Sequence, residues 1–160
     1  METAVRIETT DPQGSAALAL LAEAAAEARA IYPEFFPPGC AEPTNGPTPA
    51  GGVYLLAWEG GRPVASGALR PIDARTGEIR RMFVTASRRR QGLASAILAA
   101  LEQHAVALGY SHLRLETGDR QAPAMALYAG RSFVRIPAFG PHANDPTSVC
   151  FERACGPPAE

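Results

Sequence analysis

The sequence predicts an α/β (α+β) domain with a mixed central sheet of about six or seven strands flanked by helices. Three observations carry this expectation. Short apolar or alternating runs, punctuated by Gly and Pro, recur from the first residues to the last. Two stretches rich in Ala and Leu, 13–30 and 94–108, have the spacing of helices. Strands meander between residues 53 and 85 and alternate with helical patterns afterwards, so antiparallel and parallel pairing share one sheet.

The elements follow in order. Val5-Arg6-Ile7-Glu8 alternates and suits a first strand. The helix over Gln13 to Ala30 presents Leu18, Leu21 and Ala25 on one face. Six prolines between Pro33 and Pro49 then forbid regular structure, and the segment Tyr32 to Gly52 is too long for an ordinary connection. Loops of that length serve as lids or binding loops. Val53 to Trp58 and Pro63 to Leu69 form a hairpin around Glu59-Gly60-Gly61-Arg62, and Glu78 to Thr85 is the next strand. The helix from Ala94 to Leu108 has Ile97, Leu98, Leu101, Ala105 and Leu108 as its apolar stripe and Gly109 as its stop. A strand over His112 to Thr117, a short helix over Pro123 to Ala129, and strands over Phe133 to Ile136 and Ser148 to Glu152 complete the set. Residues 1–153 read as one domain without linker or repeat, and 154–160 as a loose tail.

Composition narrows the function. A formal net charge of -1 argues against a general nucleic-acid or membrane-surface binder. No apolar stretch approaches the roughly 20 residues of a membrane span. Met1 to Arg6 lacks the basic-then-apolar order of a signal peptide. Cys40, Cys150 and Cys155 are odd in number and lack ligand spacing, so they read as free thiols of a cytoplasmic protein, with no metal site.

The chemistry centres on Arg88-Arg89-Arg90-Gln91-Gly92-Leu93-Ala94, between the strand ending near Val84 and the following helix. The first amides of a helix have no intrahelical acceptors and sit at the positive end of its dipole. A glycine there lets a phosphate oxygen approach the backbone. No G-x-G-x-x-G and no P-loop lysine is present.

Arg89-Arg90-Gln91-Gly92-Leu93-Ala94 fits the pattern of Gln or Arg, two residues, Gly, one residue, Gly or Ala. With Glu78 to Val84 before it, and Ala124-Met125-Ala126-Leu127-Tyr128 and Phe133 after it, the chain resembles the GNAT N-acetyltransferase superfamily over roughly Val53 to Glu152. Leu115-Glu116-Thr117-Gly118 and the segment Pro146 to Cys150 are similar to a bacterial small-molecule subgroup.

The resemblance implies the GNAT fold, acetyl-CoA as co-substrate and direct transfer of its acetyl group to a small amine. It implies that Arg89, Arg90, Gln91, Gly92, Leu93 and Ala94 hold the pyrophosphate. It places the pantetheine arm along Met82 and Val84, with an amide at Phe83 or a neighbour facing the oxyanion. Tyr128 is the implied acid for the leaving thiolate. Glu78 is the first candidate base and Glu116 the second, while both also suit ion pairs with nearby arginines. Gln121 stands where many members carry Asn, and Gly130-Arg131-Ser132-Phe133 replaces the usual Gly-Phe. Tyr32, Phe35 and Phe36 are expected to wall an acceptor pocket, with Arg70 and Arg80 suited to a carboxylate. His142 is placed beside that pocket or on the surface; His104 is expected at the surface and His112 in a structural role. Members of such a family also pair as homodimers. The competing reading is a catalytically silent acyl-CoA sensor of the same fold.

Overall fold

The computed structural model describes residues 4–156. Met1 to Thr3, and the end of the expected tail over 157–160, lie outside the described residues. The strands are β1 (Val5–Thr9), β2 (Val53–Glu59), β3 (Arg62–Pro71), β4 (Thr76–Val84), β5 (His112–Gly118), β6 (Val134–Ile136) and β7 (Ser148–Ala154). The helices are α1 (Ser15–Ile31), α2 (Leu93–Ala107) and α3 (Ala122–Gly130). The seven strands form one sheet in the order β1-β2-β3-β4-β5-β7-β6. Every neighbouring pair is antiparallel except β4 with β5, because the chain crosses over through α2 between those two strands.

Alternation along β2 divides the core between two faces. Tyr54 and Leu56 point to α1, where Ala17 and Leu20 pack on them with Ala68 and Phe83. Val53, Leu55 and Ala57 point the other way, into a larger cluster with Ile97, Leu98, Leu101 and Ala105 of α2 and Tyr128 of α3. The buried side of α1 is Ala17, Leu20, Leu21 and Ala25, and Leu18 is 41 % exposed. Leu21 and Ala25 lie on the buried face as expected, while Leu18 is replaced there by Ala17 and Leu20. Leu108 is also exposed, because α2 ends at Ala107.

Asn45 is a central tie of the segment expected to be loop. Asn45 donates to Pro12 O at 2.9 Å and accepts from Arg81 Nε at 3.0 Å, while Gln13 Nε2 bonds the Asn45 carbonyl. These bonds fix the proline-rich stretch over the α1 face of the sheet. At the other end of the chain Ala154 is the last residue of β7, and the Cys155 amide donates to Ser111 O.

Gly67 sets the distance between β3 and α2. A Cβ there would stand 2.5 Å from Ile97 Cγ2 and 3.0 Å from both Leu101 Cδ1 and Met82 Sδ. We expect Gly67→Ala to destabilise the fold by about 1–3 kcal/mol, from overpacking. Urea unfolding checks this, with the midpoint falling and the slope unchanged.

Candidate active site

The site begins where two strands part. β4 and β5 pair from Thr76 with His112 to Ile79 with Leu115, yet β4 continues to Val84 and β5 to Gly118. Beyond Ile79 the β5-side edge of β4 is open. A bulge at the same place turns this edge: Ala68 pairs with Arg80 and Ser66 with Phe83, so β4 carries an extra residue. Arg81 takes a φ of 59°, a left-handed value that costs a non-glycine residue energy. The buried Ser66 hydroxyl donates to Arg81 O at 2.7 Å and fixes the bulge. Past it, the Thr85 amide donates to Val64 O. Alternation from this bond directs Phe83 to β3 and turns the backbone groups of Met82 and Val84 toward the opening. The amide facing the cleft is thus that of Met82 or Val84, the neighbours of Phe83.

The basic turn follows directly. Gly92 is the N-cap of α2 with φ 79°, and no side chain caps the helix. Among the described residues, the amides of Leu93, Ala94 and Ser95 meet no acceptor. The three arginines divide their work. Arg88 makes a forked pair with Glu59, with contacts of 2.6 and 3.0 Å. Arg89 pairs with Glu27 of α1, donates to Val84 O at 3.1 Å and covers the Phe83 ring. Arg90, exposed and with φ 63°, has no ion pair among the described residues. Of the two arginines expected at the pyrophosphate, Arg90 is uncommitted while Arg89 also braces the strand end against α1. Gln91 is exposed beside them.

On the α1 face, beyond the helix, lies a cavity of about 550 Å³. Its lining includes Asn45, Tyr54, Arg70, Glu78, Arg80 and Phe139. Glu78 is 5 % exposed, and Arg70, opposite it on β3, donates to its Oε1 at 2.8 Å. His142 stands between two carboxylates: its Nδ1 is 2.9 Å from Glu116 and its Nε2 3.4 Å from Glu78. Ser148 Oγ also reaches Glu116, at 3.2 Å, and the Phe139 ring packs edge-on against the imidazole. The two candidate bases are therefore joined through a histidine. In the sequence His142 was marked only by its place in the Pro141-to-Pro146 loop, since a 3-10 turn over Gly140–His142 aims it. Arg81 and Asn45, absent from the expected site residues, complete the cavity floor.

Tyr128 approaches from the opposite face, on α3. Its ring packs against Phe133 and Phe151, and it is 5 % exposed. Its hydroxyl donates to no described residue yet is not fully enclosed. Burial, with a smaller contribution from Glu116, pushes its pKa up to about 12. Gln121, the N-cap of α3, sits just past the end of β5 with its side chain half-buried. Tyr32 and Phe35 do not line the cavity. The Tyr32 hydroxyl accepts the Arg120 amide at 2.9 Å and its ring lies under the Arg120 guanidinium, so it pins the turn after β5 to α1. Phe35 stacks on it and is 49 % exposed. His112 is exposed and His104 half-buried, both remote from these contacts.

A family model for the acetyltransferase (GNAT) family matches residues 18–133. The chain belongs to that family. A Bacillus subtilis (strain 168) protein named N-acetyltransferase YsnE, itself uncharacterised, is 39% identical over 99 residues, 61% of this chain and 66% of the relative. An IAA acetyltransferase of Azospirillum brasilense is 37% identical over 101 residues, 62% of this chain and again 66% of the relative. The chain thus spans just under two-thirds of the length of these curated relatives. A Klebsiella pneumoniae subsp. pneumoniae protein assigned to the acyl-CoA N-acyltransferases has a solved structure with TM-score 0.79 and 28% identity, over 96% of this chain and 99% of that one. The fold is also that of an Elizabethkingia anophelis GNAT acetyltransferase solved with acetyl-CoA bound, at TM-score 0.67 and 16% identity, over 94% and 97% of the two chains. Among the described residues no helix is long and apolar enough to cross a membrane.

The Tyr128 phenol gives a pH test. Its raised pKa means the fold favours the neutral form, so this contribution to stability is full below pH 10 and is lost as pH rises toward about 12. Ultraviolet difference titration of wild type against Tyr128→Phe is expected to isolate one phenol titrating well above 10. A midpoint at or below 10 contradicts this environment.

Proposed function

We propose that the protein is an acyltransferase that moves the acetyl group of acetyl-CoA directly to the amine of a small molecule. The reading is carried by the open edge of β4 leading into the uncapped start of α2. An extended amide-bearing arm pairs with such an edge as an added strand would, and a pyrophosphate suits free helix amides. Met82 and Val84 would pair with the arm. The amides of Gly92, Leu93 and Ala94, with Arg90 and Gln91 at the rim, would hold the phosphates. Gln121 offers an amide from the far side of the cleft. Three unpaired cysteines accord with a reducing, cytoplasmic setting.

Acetyl-CoA supplies a thioester carbonyl activated for attack. A neutral amine in the cavity forms the new C–N bond as the C–S bond breaks. The Met82 or Val84 amide faces the developing oxyanion. The nitrogen must shed a proton, and the Glu78–His142–Glu116 group is built to receive it. Glu78 lines the cavity and can take the proton; a neutral imidazole donates to only one of the two carboxylates, and once protonated it donates to both. Arg70 meanwhile fixes the far oxygen of Glu78. Tyr128 gives its proton to the departing thiolate. Burial raises the proton affinity of a thiolate in that place as it does that of the phenol, so donor and acceptor shift together.

The experiment is CoA release from acetyl-CoA in the presence of a panel of amines. Turnover supports the reading, and tight acetyl-CoA binding without turnover on any amine opposes it in favour of a sensor. Tyr128→Phe is expected to lower kcat about 10²–10⁴-fold with little change in KM for acetyl-CoA. His142→Gln and Glu78→Gln are each expected to lower kcat/KM for the amine by a similar factor, about 10²–10⁴. Wild-type rates in Glu78→Gln and His142→Gln would remove both from the proton path.

A further inference from the structure

The cavity on the α1 face is lined by three guanidinium groups, Arg70, Arg80 and Arg81, and by one carboxylate, Glu78. Two of the cations are satisfied. Arg70 is bound to Glu78, and Arg81 donates to Asn45 Oδ1 at 3.0 Å and to Thr44 O at 3.2 Å. Arg80 has no ion pair or hydrogen bond among the described residues. Its position explains why. It lies two residues beyond Glu78 on β4, on the same face, and its partner across the sheet is Ala68, too short to cover it. The guanidinium is half-buried. Leaving such a charge partly desolvated and unpaired is costly, and a planar forked donor is the group best matched to a carboxylate.

From this juxtaposition we infer that the acceptor is an amino-carboxylate, whose carboxylate is held by Arg80 while its amine faces Glu78 and His142. The inference rests on the acetyltransferase reading and deepens it by naming the class of acceptor. Arg70 is the poorer anchor, because its charge is already paired with Glu78 through Nε. The size agrees: about 550 Å³ is ample for an amino acid. The Tyr54 and Phe139 side chains in the lining give room for an apolar substituent. The state of Arg80 agrees as well. Burial first, then the like charges of Arg70 and Arg81, depress its pKa against the pull of Glu78 and Glu116. A bound carboxylate would relieve that depression.

The test uses the full chain and matched acceptors: leucine against leucinamide, phenylalanine against phenylalaninamide, and 4-aminobutyrate, each with acetyl-CoA. At least one carboxylate is expected to exceed its carboxamide in kcat/KM by about tenfold or more. Arg80→Met, which removes the charge and keeps the apolar stem, is expected to abolish that preference, read as the ratio of acid to carboxamide kcat/KM within the variant. Arg80→Lys is expected to restore part of it. Thermal shift with N-acetyl-leucine against N-acetyl-leucinamide reads binding apart from turnover, and only the acid is expected to stabilise the wild type. Equal rates for acids and amides, equal shifts, or a preference that survives in Arg80→Met overturn the inference while leaving the acetyltransferase reading intact. Absence of turnover on every amine strikes that reading instead, and the thermal shifts then decide whether Arg80 selects a carboxylate.

Discussion

One hydrogen bond, from the buried Ser66 hydroxyl to Arg81 O, secures the feature on which the site depends. It holds a non-glycine residue in left-handed conformation in the middle of a central strand. The extra residue there lets β4 stay paired with β3 on one side while β5 departs on the other. Without the bulge, β4 and β5 would be free to continue as a parallel pair, and the edge carrying Met82 and Val84 would be consumed by the sheet. The strain is offset by surrounding structure: Asn45 and Thr44 bind the Arg81 side chain, and Gly67 brings α2 down beside the bulge.

From that opening the two halves of the chemistry divide by face. The cleft side offers helix amides and strand backbone, groups that recognise phosphate and amide by hydrogen bonding without side-chain charge. The α1 side concentrates titratable groups: Glu78, His142 and Glu116 in one chain of contacts, and Arg70, Arg80 and Arg81 around it. Tyr128 reaches the same place from α3, beneath the sheet. In the proposed reaction, Tyr128 as donor and the Glu78–His142–Glu116 group as acceptor of protons lie on opposite faces of the sheet.

Much of the fold was legible because its signals are local. Alternation, helical spacing and the Gly60-Gly61 turn placed all seven strands and three helices, with the parallel pair implied by the crossover through α2. The turn 88–94 was legible as a glycine turn opening a helix for the same reason, since a glycine ahead of an apolar helix is a property of adjacent residues. What was not legible is non-local. His142 meets Glu78 across 64 residues and Asn45 meets Arg81 across 36, and neither pair shares a spacing rule. The bulge falls on Arg81 rather than on glycine, so the usual mark of positive φ was missing. Tyr32 had the composition of a pocket wall, yet a single amide, that of Arg120, commits its hydroxyl elsewhere. Leu18 misled because a small residue, Ala17, is what the helix turns to the sheet.

The central claim is that the edge of β4 and the start of α2 form one continuous binding surface for acetyl-CoA. Amide hydrogen exchange of the full chain, with and without CoA, tests it most directly. The account predicts added protection at Met82 and Val84 together with Leu93, Ala94 and Ser95. Protection at the helix amides alone, or confined to residues far from β4, would contradict it.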